Sequence, residues 1–297
     1  MSFVARVQPS IIKLCHQSGM ARGMNGVAPN TLIVYRKVYD AWKDFIYYPD
    51  HLGGIDEAVN RFLAWIMPEL QEIDDALTGK PFVVEGLNET IATGATEDIR
   101  RVVEFESKFA YKLASLPFAA VPCVLNTAVG NPQHGAETEM LVPAAKAAVE
   151  TGGFVGYHAY WPAIGDRSWL VNDWRHFAGR WAVSWDPVFR AHGIRPHYLL
   201  TEGGPIGGEA YYDDEEQKWK PHLNAGAGWR SSLCLNGDWN RTVDQILRFD
   251  QLAYQSIPGQ EGRYGGITLF TVGGGDRWKY FNFRAPQFDS LTAALVG

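Results

Sequence analysis

Short apolar, β-rich runs alternate along this chain with longer stretches whose apolar residues recur every three or four positions. No other feature restricts its fold as much, because this alternation is how parallel strands joined by helical crossovers read in sequence. The candidate strands are Ser10–His16, Thr31–Val38, Phe82–Glu85, Val121–Thr127, Phe154–Tyr160, His197–Glu202 and Gly266–Val272. Helical patterns between them cover Ile55–Leu77, Ala95–Leu116, Ala136–Glu150, Val171–His192 and Asn240–Ile257.

This order predicts an α/β chain, a (β/α)8 TIM-type barrel. With 297 residues, 46% of them hydrophobic, the chain can fill such a core. No repeat, low-complexity tract or linker divides it, so residues 1–297 read as a single domain. A closed barrel needs eight strands, and the segment before Ser10 is too short for a strand plus a crossover helix. The barrel is therefore expected to be incomplete at its first strand. Three explanations stay open: Phe3–Val7 is an irregular first strand, the strand is missing, or the chain begins inside a longer ancestor.

Several function classes lose support at once. A net charge of −6, from 27 Lys+Arg against 33 Asp+Glu, argues against nucleic-acid or anionic-membrane partners. Cys15, Cys123 and Cys234 cannot all pair and show no C-x-x-C spacing. No run reaches the roughly 18 apolar residues of a membrane span. The N-terminus lacks the basic start and apolar region of a signal peptide, which predicts a cytoplasmic chain or one released without a signal. The histidines show no H-E-x-x-H spacing, and Asp213–Glu216 reads as a solvated loop. Neither Gly203–Gly208 nor Gly273–Gly275 fits a phosphate loop, and no G-x-S-x-G elbow is present. Neither a metal nor a cofactor is expected. Oligomeric state is left open.

The chemistry concentrates at strand ends. Asn88-Glu89 follows the Phe82–Glu85 run, and Glu202 closes His197–Glu202. In a parallel barrel all strand C-termini open on one mouth, so these acids can converge across it. Glycoside hydrolysis needs such a pair: one carboxyl protonates the leaving oxygen, while the other attacks the anomeric carbon or activates water. Their environments must differ, one raising and one lowering the pKa.

His158 and Tyr160 alternate onto one side of their strand, where a phenol can bond a nucleophilic carboxylate. Lys13 and Arg36 are charges in apolar runs; either mouth carboxylates partner them or they face outward and snorkel. The chain holds 11 Trp, and aromatic residues crowd two connections after strands, 160–170 and 203–239. Sugar C–H faces stack on such rings, so Trp161, Trp169, Trp229 and Trp278 are candidate platforms.

These residues resemble the clan A glycoside hydrolases, (β/α)8 barrels with Asn-Glu after strand four and Glu after strand seven. The resemblance spans most of the chain. It implies a retaining enzyme acting on β-linked poly- or oligosaccharides. Asn88 would contact the sugar 2-hydroxyl, Glu89 act as acid/base and Glu202 as nucleophile, with Tyr160 orienting Glu202. Taking Phe82–Glu85 as strand four makes Gly266–Val272 strand eight and the absent strand the first. Arg36 is the candidate for the early-strand Arg of that family, and Lys13, Arg36 and His158 join the candidate substrate-binding set. The strand-eight Trp of many members is not found at Thr271–Gly275, where Trp278 is the candidate substitute. The alternative class is a carbohydrate-binding or structural barrel that keeps the acids without turnover.

Overall fold

A computed structural model describes residues 2–39, 41–164, 167–206, 210–213, 218–221, 234–235, 237–257 and 262–269. Its parallel strands are β1 (Ile11–Cys15), β2 (Leu32–Arg36), β3 (Phe82–Glu85), β4 (Ala120–Thr127), β5 (Phe154–Ile164), β6 (His197–Ile206) and β7 (Tyr264–Leu269). They pair in chain order from β1 to β7, and every ladder along this path is parallel. The two edge strands come side by side without a ladder: a Cβ added to Gly266 would lie 2.8 Å from the Ile11 side chain. The result is a nearly closed barrel of seven parallel strands alternating with helices. An eighth barrel strand is not among the described residues. Phe3–Val7 is not it, since Ser2–Val7 is helical.

Alternation along each strand divides two cores. Leu32, Val34, Val83, Cys123 and Leu199 pack with Ile11 and Phe154 inside the barrel. Ile33, Tyr35, Phe82, Val84, Val124, Tyr198 and Leu200 face the helix layer instead. The same period of two sends Lys13, Arg36 and Glu85 inward, on the parity of Ile11, Val34 and Val83. These charges therefore cap the apolar plug at its C-terminal end.

The helices show why the sheet is covered. Gly54–Leu77 buries Ile55, Val59, Phe62, Leu63, Ile66, Leu70 and Ile73, a stripe at three- and four-residue spacing, and places Asp56 and Glu57 in its first turn. Thr96–Ala114 buries Ile99, Val102, Val103, Phe105, Phe109 and Leu113, with one acid, Glu106, on that apolar face.

Four elements depart from the sequence reading. Ala136–Glu150 divides into helices Gly135–Glu139 and Val142–Glu150. The Val171–His192 pattern resolves into short turns ending in the helix Asp186–Ala191. Strands β5 and β6 run on past Tyr160 and Glu202, side by side as far as Pro162 and Ile206, so the connections after them start later than expected. Within 203–239, an antiparallel hairpin joins Ala210–Asp213 to Lys218–Pro221. No helix among the described residues is long and apolar enough to cross a membrane.

Candidate active site

Two irregularities aim the site's side chains. On β4 the register shifts between Val124 and Thr127, where Leu125 has φ +61°. This bulge brings Asn126 opposite Asn88, and the Asn126 carbonyl accepts the Glu89 N–H at 2.8 Å. Glu89 itself has φ +51°, a conformation that non-glycine residues rarely adopt. Between β5 and β6 a second shift, between Gly156 and His158, aligns His158 with Glu202.

Glu202 sits at the centre of a charge cluster. Its Oε1 receives Arg36 Nη1 in a short contact and Lys13 Nζ at 3.1 Å. Tyr160 donates its hydroxyl to Oε2 at 2.8 Å. Lys13 also donates to the Thr201 carbonyl at 3.0 Å and lies 2.9 Å from Glu85, whose side chain is fully buried. Arg36 donates to Asn88 Oδ1 at 2.5 Å and lies 3.8 Å from Glu85. Two cations and two carboxylates thus interlock on the barrel floor, which satisfies charges that would be costly if buried alone. Burial works against ionisation of Glu202, but the facing His158 ring, Lys13, Arg36 and the Tyr160 hydroxyl together hold its carboxyl well below the ordinary range. The Tyr160 phenol is pushed well up, by burial and by Glu202 beside it. Arg36 pays a burial cost too, yet Glu202 and Glu85 raise its guanidinium above the ordinary value.

Glu89 lives differently. Its side chain is 42% exposed, and its Oε1 lies 2.7 Å from Nδ1 of the fully buried His158. That same nitrogen is 3.6 Å from Glu202 Oε2. One ligand-type atom from each of Glu89, His158 and Glu202 falls within 4.8 Å of the others. That spacing admits a metal ion. A cation there would nevertheless have to share Glu202 with Lys13 and Arg36, which makes the trio better suited to holding and passing a proton. Burial pushes the Cys15 thiol up, away from the thiolate a nucleophile requires.

The structure therefore joins Lys13, Arg36, Asn88, Glu89, His158, Tyr160 and Glu202 in one network. Lys13 and Arg36 face the barrel interior and do not snorkel outward. Of the candidate substrate contacts, Arg36 and His158 are buried and Lys13 nearly so, and each bonds a carboxylate of the network. Trp161 needs correction. It lies fully buried, stacked on Phe249 with centroids 5.0 Å apart, and donates its indole N–H to Gln245. The strand continues through it, and alternation turns it toward the helix layer. Trp169 is half-buried beside Phe177. Trp229 and Trp278 lie outside the described residues. A cleft of about 620 Å³ between the 168–172 segment and the Trp239–Gln255 helix contains none of these carboxylates.

Sequence reasoning missed Glu85, Glu106 and Asn126. The parity of Glu85 with Val83 was the available signal for the first, and a lone acid on an apolar helix face was the signal for the second. Nothing local marked Asn126, because a bulge creates its role. Comparison with models of known protein families and with curated protein sequences finds no match.

Proposed function

We propose that this chain is a retaining glycoside hydrolase of the (β/α)8 type, related to the clan A enzymes it resembles. The observation that carries the reading is the carboxylate pair: Glu89, in the turn after β3, and Glu202, within β6, meet at one mouth with oxygens within 4.8 Å of each other. Retaining enzymes hold their carboxyl groups about 5–5.5 Å apart, against about 6.5–9.5 Å where a water must fit between them. The environments of the two acids also differ. Glu202 is buried, cation-bound and kept ionised, as a nucleophile must be. Glu89 is open to solvent and to a substrate oxygen.

In the first step Glu202 attacks the anomeric carbon, the glycosidic bond breaks, and the leaving oxygen takes a proton from Glu89. In the second, water attacks the glycosyl–enzyme ester while Glu89 takes up its proton, and Glu202 is released as carboxylate. Asn88, oriented by Arg36, is positioned to bond the sugar hydroxyl beside the reacting carbon.

The test is a panel of β-linked aryl glycosides and oligosaccharides, with the anomer of the first-formed product read by proton NMR. Hydrolysis with retention, abolished in Glu202→Gln, is the expected result. Inversion, or no hydrolysis anywhere in the panel, would sink the proposal. Binding without hydrolysis that is unchanged in Glu202→Gln would favour a carbohydrate-binding barrel instead.

A further inference from the structure

Glu106 has no part in the chemistry above, yet it is fully buried on the apolar face of the Thr96–Ala114 helix, among Val102, Val103, Phe105 and Phe109. An acid there is expensive, and its hydrogen bond shows what it does. Its Oε1 accepts the Leu87 N–H at 2.7 Å. That donor lies on the segment that pairs through Asn88 with the segment around Asn126. Both segments carry a non-glycine residue at positive φ, Glu89 on one and Leu125 on the other. Such residues are strained and persist only where surrounding contacts over-determine them. Gly86 leaves room for this clamp, since any Cβ there would overlap the Glu106 carboxyl. The remaining anchors are the Gly86 N–H, bonded to the Cys123 carbonyl at 3.0 Å, and the Glu89 N–H on Asn126. Without Glu106, the buried Leu87 amide would lose this acceptor.

We propose that Glu106 is the positioning residue for the acid/base carboxylate, fixing from beneath the turn that presents Asn88 and Glu89 to the mouth. The inference rests on the reading of Glu89 as acid/base. It acts through the backbone alone, so its loss should misdirect Glu89 while leaving the Lys13, Arg36 and Tyr160 contacts of Glu202 intact.

The experiment compares the full chain with Glu106→Gln, which keeps an acceptor, and Glu106→Leu, which does not. Two substrates are used: an oligosaccharide, whose leaving group needs a proton, and a glycosyl fluoride, whose leaving group needs little help. In Glu106→Leu, kcat/KM for the oligosaccharide should fall on the order of 100-fold, as for a misplaced catalytic group. For the fluoride it should change less than about threefold. Glu106→Gln should stay within about tenfold of the original on both. Equal losses on the two substrates would overturn the proposal, leaving Glu106 a general scaffold residue.

Amide hydrogen exchange separates this from failure of the hydrolase reading. Even if no glycoside is cleaved, Leu87 and Glu89 should lose at least about tenfold protection in Glu106→Leu but not in Glu106→Gln, with Phe62 and Leu63 unchanged. Uniform loss, or none, overturns it. Should Glu106→Leu not fold, Leu87 protection is followed from pH 6 to 9 in the original chain and in Glu106→Gln. A change centred near pH 8 in the original chain alone supports the clamp, since burial pushes this carboxyl up to about 8. Matching profiles overturn it.

Discussion

The mouth of the barrel holds its two carboxylates by contrasting means. Glu202, on β6, is fixed by side chains: Lys13 from β1, Arg36 from β2 and Tyr160 from β5 all reach it, and Glu85 balances the cations from below. On the β3 and β4 side, Glu89 is fixed through its backbone, by the Asn126 carbonyl and the turn above Glu106, while His158 bonds its side chain. A nucleophile needs stable charge and a fixed direction, which buried ion pairs supply. An acid that hands a proton to a leaving oxygen and takes one back from water needs its tip within reach of both, which a fixed backbone turn with a side chain open to the mouth supplies.

The sharpest way to break this comparison is to remove one carboxylate at a time. Glu202→Gln should lower kcat on every substrate by roughly 10⁴-fold, as loss of a nucleophile does elsewhere. Glu89→Ala should instead spare substrates with good leaving groups in the first step, so that the glycosyl–enzyme accumulates and is visible by intact mass. Equal, leaving-group-independent losses would erase the proposed division of roles.

Stability against pH comes next. Glu106 has a folded pKa of about 8 against 4.5 for an ordinary glutamate. Folding therefore favours its neutral form. Its stabilisation is complete below about pH 4.5, declines as pH rises, and is gone above about pH 8, a total of roughly 5 kcal/mol. Urea midpoints measured across that window should show the decline, and Glu106→Gln should remove it. Glu202 carries the opposite sign: its depressed pKa adds stability that is present above pH 4.5 and lost in stronger acid.

The charge cluster should yield a somewhat smaller effect. Lys13→Met leaves buried Glu85 with Arg36 alone, at 3.8 Å, and should cost about 3–5 kcal/mol by urea denaturation. Adding Glu85→Leu should recover most of that loss. Were the double variant as unstable as the sum of the two singles, the balancing role of Glu85 would be wrong. Tyr160→Phe removes one bond to a charged oxygen and should lower kcat/KM about 10- to 100-fold, or 1.5–3 kcal/mol. It should also move the acidic limb of the pH profile upward, since that hydroxyl helps to hold Glu202 ionised. The smallest effect separates core from rim. Trp161→Phe should cost on the order of 1 kcal/mol of stability through the lost Gln245 bond, with KM unchanged.

Much of this architecture was legible in the chain. All seven strand positions appear where β-rich runs occur, because an apolar run between amphipathic helices has few other ways to bury both faces. Glu89 and Glu202 could be picked out because strand C-termini share one mouth. The extensions of β5 and β6 were not legible, since Trp161, Pro162 and the glycines after Glu202 read as loop. Backbone pairing between the two strands outweighs those local preferences. Trp161 was misjudged for the same reason: once the strand continues, alternation decides which way it faces.

What the sequence by itself determined is periodicity: where the seven strands and most of the helices lie, and which residues of each share a face. Those properties depend on neighbours within a few positions. Only the tertiary structure decided that Lys13 spans Glu85 and Glu202, that His158 lies between Glu89 and Glu202, and that Glu106 supports the turn above it. Those partners come from different strands and helices, and two one-residue irregularities bring them into register. A bulge is settled by the packing and pairing of whole strands, which the residues on either side of it do not encode.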